Sequence, residues 1–172
     1  MNSTELTAKP GKQEYFVMRE FDAPTELVFK SFVDPKLYSQ WRLGPKRMGL
    51  TMRLDKYDPR TGGAWRLALQ DRDGKQSWFH GSYHEVLAPE LIVETFEFEG
   101  SPERGHPTLE TFKFEALPDG RTRLTIHSVF QSVADRDRVM GTSWEEGQRD
   151  SLDRLDELTK SLGQVSVSKR NQ

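Results

Sequence analysis

The segment Ser143–Gly163, SWEEGQRDSLDRLDELTKSLG, carries the pattern on which the fold of this chain depends. Its apolar residues recur every three or four positions, as on one face of an α-helix, while most of its charged residues occupy the other face. Ser143 followed by Glu146 fits a capping box at the helix start, and Gly163 fits a helix end. The pattern predicts a long amphipathic helix whose apolar face needs a sheet to cover it.

The sequence before this helix changes to a period of two residues between Met48 and Phe130. Turn-forming residues divide this region into six segments, and two of the turn pairs, Asp73-Gly74 and Asp119-Gly120, are typical of tight hairpins. Consecutive antiparallel strands, each with one apolar face, are therefore predicted. The apolar face of such a sheet could cover the apolar face of the C-terminal helix, so that both are buried.

The N-terminal region adds one more strand and two short helices. Residues Tyr15 to Phe21 alternate in polarity and predict a strand, which brings the predicted total to about seven. Two short helices are predicted from Pro24 to Trp41, separated at Asp34-Pro35, where Asp34 can cap the second helix. Residues 1–13 and 164–172 are polar and aperiodic, and we expect disordered tails on either side of a single domain spanning 14–163.

Composition excludes several classes of function. The 172 residues fit one domain, and the absence of cysteine excludes disulfides, thiolate nucleophiles and cysteine-bound zinc. A net charge of -2 without a strongly basic stretch argues against a nucleic-acid partner. No apolar run approaches the roughly 20 residues of a membrane helix, and no apolar signal segment begins the chain, so we expect a cytoplasmic protein without a membrane span.

Short motifs along the chain occur in an order that resembles a known family. The opening motif is Arg19–Pro24, REFDAP, followed by Val28-Phe29, Asp34-Pro35 and Trp41. The later motifs, in chain order, are Gly62–Arg66, Gly81–Val86 with Pro89–Val93, Gly120–Leu124, and Gly141–Trp144 with Leu155.

Over about residues 15–162, the chain resembles the family of activator of heat-shock-protein-90 ATPase homologues, which belongs to the START-like or SRPBCC superfamily. The resemblance implies an α+β helix-grip fold, in which a curved antiparallel sheet of about seven strands wraps around a long C-terminal helix, with two short helices after the first strand. It implies no catalytic residue common to the family. Fold is therefore predicted more firmly than chemistry.

The resemblance also favours a cavity between sheet and C-terminal helix, because related folds commonly hold lipophilic ligands there. Glu94 shares strand parity with Ile92 and Phe96, so its carboxylate is expected to point inward as a polar handle for the ligand. A bulge that turns Glu94 to solvent, or an ion pair with a nearby arginine, is the alternative for this residue. The predicted ligand-binding residues are Trp41, Trp65, Tyr83, Glu94, Phe96, Phe112, Trp144 and Gln148.

Other interpretations remain open at this point. The aromatic residues could instead fill a solid core, the domain could act as a co-chaperone-like module on a heat-shock chaperone, or the same cavity could support a cyclase, dehydratase or hydrolase reaction. Catalytic residues are unknown, and no cofactor is predicted. No metal site is predicted either, because His80 and His84 share a strand face but lie roughly 13 Å apart on it.

Overall fold

The computed structural model describes residues 2–170, with side chains described as far as residue 164. Eight antiparallel strands form one open, curved sheet in the order β1-β2-β8-β7-β6-β5-β4-β3. Strands β3 to β8 follow one another as the predicted meander, and β2 pairs with β8. The strands are β1 (Glu5–Thr7), β2 (Glu14–Phe21), β3 (Thr51–Tyr57), β4 (Ala64–Gln70), β5 (Gln76–Leu87), β6 (Leu91–Phe98), β7 (Thr108–Ala116) and β8 (Thr122–Val129).

The α+β helix-grip prediction is confirmed, and the seven predicted strands correspond to β2–β8. The eighth strand, β1, lies within residues 1–13, where a disordered tail was expected. It pairs with β2 at the sheet edge, and Thr4 beside it accepts a hydrogen bond from the buried Arg19 at 3.0 Å. Three residues are too few to show an alternating pattern, so the sequence gives no sign of this strand.

Four α-helices accompany the sheet: α1 (Thr25–Val33), α2 (Pro35–Trp41), α3 (Val133–Met140) and α4 (Trp144–Arg170). The predicted cap of α2 is present, because the Asp34 carboxylate accepts hydrogen bonds from the backbone N–H groups of Lys36 and Leu37 at 2.9 and 3.3 Å. Helix α3 was not predicted. Half of its sequence, VADRDRVM, is charged, and its apolar residues show no regular period. The Ser132 hydroxyl caps it by accepting from the Asp135 N–H at 3.0 Å.

The long C-terminal helix differs from the prediction at both ends. Glu146 binds the Arg47 guanidinium at 2.9 Å instead of completing a capping box. Gly163 lies inside α4 and does not adopt the positive φ that commonly ends a helix, so α4 continues to Arg170. Of the expected C-terminal tail, residues 171 and 172 lie outside the described residues.

The concave face of the sheet holds the core, together with α1, α2 and α4. Leu152 and Leu155 of α4 are fully buried against it. The buried Arg19 of β2 forms salt bridges with Asp153 and Asp156 of α4, the latter at 3.5 Å, and so links α4 to the sheet. Among the described residues, no helix is long and apolar enough to cross a membrane.

Candidate functional site

A row of five paired residues with polar side chains crosses the inner face of the sheet. Tyr83 of β5 is opposite Glu94 of β6, Glu94 is opposite Glu110 of β7, Glu110 is opposite Ser128 of β8, and Ser128 is opposite Tyr15 of β2. Directly paired residues project to the same face of a sheet. All five side chains are buried, with at most 4 % of each residue exposed. We call these five residues the polar row.

Arg42 connects the two carboxylates of the polar row to the helices. It follows the last residue of α2, and its guanidinium donates to Glu94 at 3.0 Å through Nη1 and to Glu110 at 2.7 Å through Nη2. Nη1 also donates to the Tyr38 hydroxyl at 2.7 Å. The predicted alternative for Glu94, an ion pair with an arginine, is thus what the structure contains, and the carboxylate still points inward.

Aromatic rings surround the guanidinium of Arg42. Its central carbon lies 5.2 Å from the ring centroid of Phe96, 5.4 Å from that of Phe112 and 5.8 Å from that of Tyr38. A cation within about 6 Å of an aromatic face is attracted to it. The polar row therefore lies in an aromatic environment that favours positive charge.

When both carboxylates are ionised, the charges in this cluster do not balance, because two carboxylates face one guanidinium. Burial raises the pKa of Glu94 from 4.5 to about 7; neighbouring Arg42 offsets part of that rise, and Glu110 adds to it. Burial also raises the pKa of Tyr15, Tyr38 and Tyr83 well above the ordinary tyrosine value. These phenols therefore keep their protons and can act as hydrogen-bond donors.

Trp65 of β4 closes one side of the polar row. Its indole N–H faces the Glu94 carboxylate and lowers the pKa of that group, yet the buried Nε1 has no hydrogen-bond acceptor in normal geometry among the described residues. Gly81 makes this position of the ring possible, since a Cβ at Gly81 would lie 2.7 Å from the Trp65 ring and 1.9 Å from the Thr95 carbonyl oxygen. The space left by the missing side chain of Gly81 is therefore used by Trp65.

The predicted ligand-binding residues fall into two groups. Around Arg42 the structure brings together Tyr83, Glu94, Phe96, Phe112 and Trp65, with the Trp65 and Phe96 centroids 5.5 Å apart.

The other three predicted residues lie away from Arg42, although Trp144 contacts Tyr15 at the other end of the polar row. Trp41 packs on Phe32 at 4.7 Å, and its N–H donates to the Ser31 carbonyl oxygen at 2.8 Å, so it belongs to the contact between α1 and α2. Trp144 is half-buried at the start of α4, 4.0 Å from the ring of Tyr15, and Gln148 is half-buried one turn later.

Two of the recesses on the described surface are lined neither by the polar row nor by a predicted site residue. The first, of about 610 Å³, lies between the start of α1, the β5–β6 turn and the end of β7. The second, of about 570 Å³, lies between α2 and α4 and is lined by Gln40 and Arg154 among others. Around the polar row itself, the rings pack directly against one another.

Sequence reasoning identified Glu94 but missed Glu110, Ser128 and Arg42. Glu110 shares parity with Phe112 and Phe114, and Ser128 shares parity with Ile126, so the argument made for Glu94 could have found both. Arg42 carries no such signal, because it follows a helix end where no periodicity applies. Its role depends on how α2 packs on the sheet.

The histidines lie apart from the polar row. His80 is half-exposed and contacts Glu97 and Glu99, each at 3.2 Å, while His127 binds Glu14 at 2.7 Å. Within the part of the chain that the structure describes, no three His, Asp or Glu side chains are arranged so that they could hold a metal ion.

Comparison with known proteins agrees with this architecture. No curated protein sequence matches the chain. A solved structure from Rhodobacter sphaeroides is similar with a TM-score of 0.79 and 20% identity, covering 91% of this chain and 99% of that one. A structure from Arthrobacter aurescens has a TM-score of 0.81 and 22% identity, covering 91% of each chain. These likenesses show a shared fold.

The family assignment comes from the sequence. A family model described as activator of Hsp90 ATPase homolog 1-like protein matches residues 22–160, which is most of the chain. This range begins at the end of β2 and continues into α4, so it includes both short helices, the meander and most of the polar row. The chain therefore belongs to the family of activator of Hsp90 ATPase homolog 1-like proteins.

Proposed function

We propose that this protein binds a small lipophilic or aromatic molecule between the sheet and the helices, with the polar row as the element that recognises it. The family and the fold support a domain of the ligand-binding type. The observation that carries the proposal is the position of the polar row, where a few polar groups converge on an aromatic wall. This combination is typical of small-molecule sites.

The energetics of the polar row support a role beyond folding. Replacing a buried ion cluster with apolar residues of similar volume is often neutral or even stabilising, so such a cluster is not needed to stabilise a core. Glu94, Glu110 and Arg42 form a buried cluster of this kind. Their presence at the centre of the inner face is more readily explained by recognition.

A path to the polar row is proposed beside Arg42, whose side chain is 16% exposed whereas those of Glu94 and Glu110 are 4% exposed. Phe96 and Trp144, at the same end of the sheet, are half-buried. Backbone groups of residues 44–46, shortly after Arg42, make three hydrogen bonds to α4. The Gly44 N–H donates to Ser151 Oγ at 3.1 Å, the Lys46 N–H to Asp150 at 2.6 Å, and Arg154 to the Gly44 carbonyl oxygen at 2.7 Å. Separating this loop from α4 would open the interior.

The test is a backbone-amide NMR titration with a mixed library of lipophilic and aromatic compounds. Saturable shifts at Glu94, Glu110 and Phe96 would support the proposal. Shifts confined to Glu90 and Lys113 would place binding in the recess beside α1 and contradict it. The variant Glu110→Gln keeps the shape of the side chain and should weaken binding, whereas Glu115→Gln, on the exposed face of the same strand, should leave it unchanged.

A second candidate function is a protein interaction with a heat-shock chaperone, as the description of the family suggests. The outer face of the sheet offers two exposed apolar side chains for it. Phe16 is 39% exposed and stacks on His127 at 4.2 Å, and Leu109 is 44% exposed on β7. Calorimetry with the chaperone, comparing the unmodified protein with Phe16→Ser, tests this candidate, and absence of heat of binding would end it.

A further inference from the structure

We infer that the molecule held at the polar row carries a protonated amine, or a similar cationic hydrogen-bond donor, on an aromatic or lipophilic body, and that carboxylic acids are rejected. This inference rests on the proposed function and specifies the chemistry of its ligand. Two features of the interior lead to it: the balance of charge, with the acceptor capacity that it leaves unused, and the arrangement of aromatic faces.

The charge balance is the first feature. Glu94 and Glu110 are each 3 % exposed. Among the described residues, the guanidinium of Arg42 is the one cation within salt-bridge distance of either carboxylate. An additional buried carboxylate from a ligand would add a third negative group to a region of low dielectric constant, which is strongly unfavourable. A ligand cation would instead compensate the second carboxylate.

The distribution of hydrogen-bonding groups agrees with this. One oxygen of Glu94 binds Arg42 Nη1, and Glu110 divides its oxygens between Arg42 Nη2 at 2.7 Å and the Ser128 hydroxyl at 3.3 Å. An ionised carboxylate can accept about four hydrogen bonds through its two oxygens. The polar row therefore has unused acceptor capacity, which an ammonium group with three donors could occupy.

The aromatic faces are the second feature. Phe96, Phe112 and Tyr38 already direct their rings at the Arg42 guanidinium at 5.2 to 5.8 Å. Rings in this arrangement stabilise positive charge through their quadrupoles, and they repel an anion placed over the same faces. The half-buried Phe96 lies on the proposed path of entry.

Trp65 shows that the described residues do not satisfy the site completely, but it does not select the charge of the ligand, because its N–H is a donor and an ammonium group cannot accept from it. Trp65 is 2 % exposed, its N–H faces the Glu94 carboxylate, and its Nε1 lacks a hydrogen-bond partner among the described residues. A buried donor without an acceptor costs about 1–3 kcal/mol. The deficiency lies at the Glu94 end of the polar row, beside the acceptor capacity described above.

The experiment uses three compounds that share one body and differ in charge: phenylbutylamine, phenylbutanol and phenylbutanoate. Each is titrated into the full-length protein at pH 8, above the raised pKa of Glu94, and binding is followed by amide shifts of the polar row. We expect the amine to bind about tenfold or more tighter than the alcohol, and the acid to bind more weakly than the alcohol.

The variant Glu110→Gln should reduce the preference for the amine over the alcohol, while Glu115→Gln should preserve it. If the acid binds at the polar row as tightly as the amine, the inference is overturned and the proposed function stands. If none of the three compounds shifts the polar row, the proposed function is contradicted together with the inference. The comparison of the three compounds on the unmodified protein tests the inference even where a variant does not fold.

Discussion

Glu94 and Glu110 are directly paired across β6 and β7, and both bind the guanidinium of Arg42, at 3.0 and 2.7 Å. Two carboxylates on neighbouring strands thus depend on one cation from outside the sheet. Because Arg42 directly follows α2, these two ion pairs also link the end of that helix to the inner face of the sheet.

The substitution Arg42→Met should strongly destabilise the protein, since it leaves two buried carboxylates without a cation. Breaking a buried ion pair by removing one partner costs about 3–5 kcal/mol, and urea denaturation would measure the loss. The control is Arg104→Met, at an exposed position in the β6–β7 loop, which should change stability by less than about 0.5 kcal/mol. Equal effects of the two substitutions would contradict the structural role of Arg42.

The substitution Glu94→Gln should remove a pH dependence of stability. The folded-state pKa of Glu94 is raised from 4.5 to about 7, so its protonated form favours folding. This contribution is fully present below the unfolded pKa and is lost as the pH rises toward the folded pKa. Relative to Glu94→Gln, the free energy of unfolding of the unmodified protein should fall by on the order of 3 kcal/mol as the pH rises from 4.5 to about 7.

Urea denaturation of both proteins at a series of pH values provides the measurement. The exposed Glu115→Gln serves as the control and should follow the unmodified protein throughout. Parallel curves for Glu94→Gln and the unmodified protein would show that Arg42 fully compensates the ionised Glu94.

The substitution Gly81→Ala should destabilise the protein through steric conflict. The new methyl group would lie 1.9 Å from the Thr95 carbonyl oxygen and 2.7 Å from the Trp65 ring, so β5 or the indole must move. We expect a cost of about 1–3 kcal/mol or more, together with altered tryptophan fluorescence. Gly163→Ala has open space around it within α4 and should be neutral or slightly stabilising. An unchanged stability for Gly81→Ala would mean that the strand adapts easily.

The substitution Asp34→Ala should destabilise the protein and change the surroundings of Arg42, although the two residues flank opposite ends of α2. It removes the acceptor that caps α2 and should cost about 1 kcal/mol, with amide shifts extending to Arg42 at the other end of the helix. Asp34→Asn retains a capping oxygen and should preserve most of the stability. Thermal unfolding and a two-dimensional NMR spectrum of each variant are sufficient, and shifts that stop at Leu37 would contradict the coupling.

Most of the architecture was predictable because strand alternation and turn residues are local properties. The hairpins at Asp73-Gly74 and Asp119-Gly120 and the Asp34 cap are present as predicted, and so is the inward direction of Glu94. Strand β1 and helix α3 were not predictable, since one is too short and the other too polar to show a period.

The site was less predictable than the fold because its key contact is tertiary. Parity in β7 could have indicated Glu110, but nothing in the sequence indicates that the Arg42 side chain reaches two strands. The interior is also more closely packed than the predicted cavity implied, because Trp65 lies against Gly81 and beside Phe96.

The pairing of β2 with β8 has a consequence for how this protein folds. Tyr15 and Ser128 stand next to each other in the polar row but come from opposite ends of the chain, so that end of the row forms only when the two termini of the domain meet. Contacts of such long sequence separation slow folding. During synthesis, the polar row is therefore completed only after β8 has emerged, and an incomplete chain would expose the carboxylates of β6 and β7 beside an unpaired strand edge.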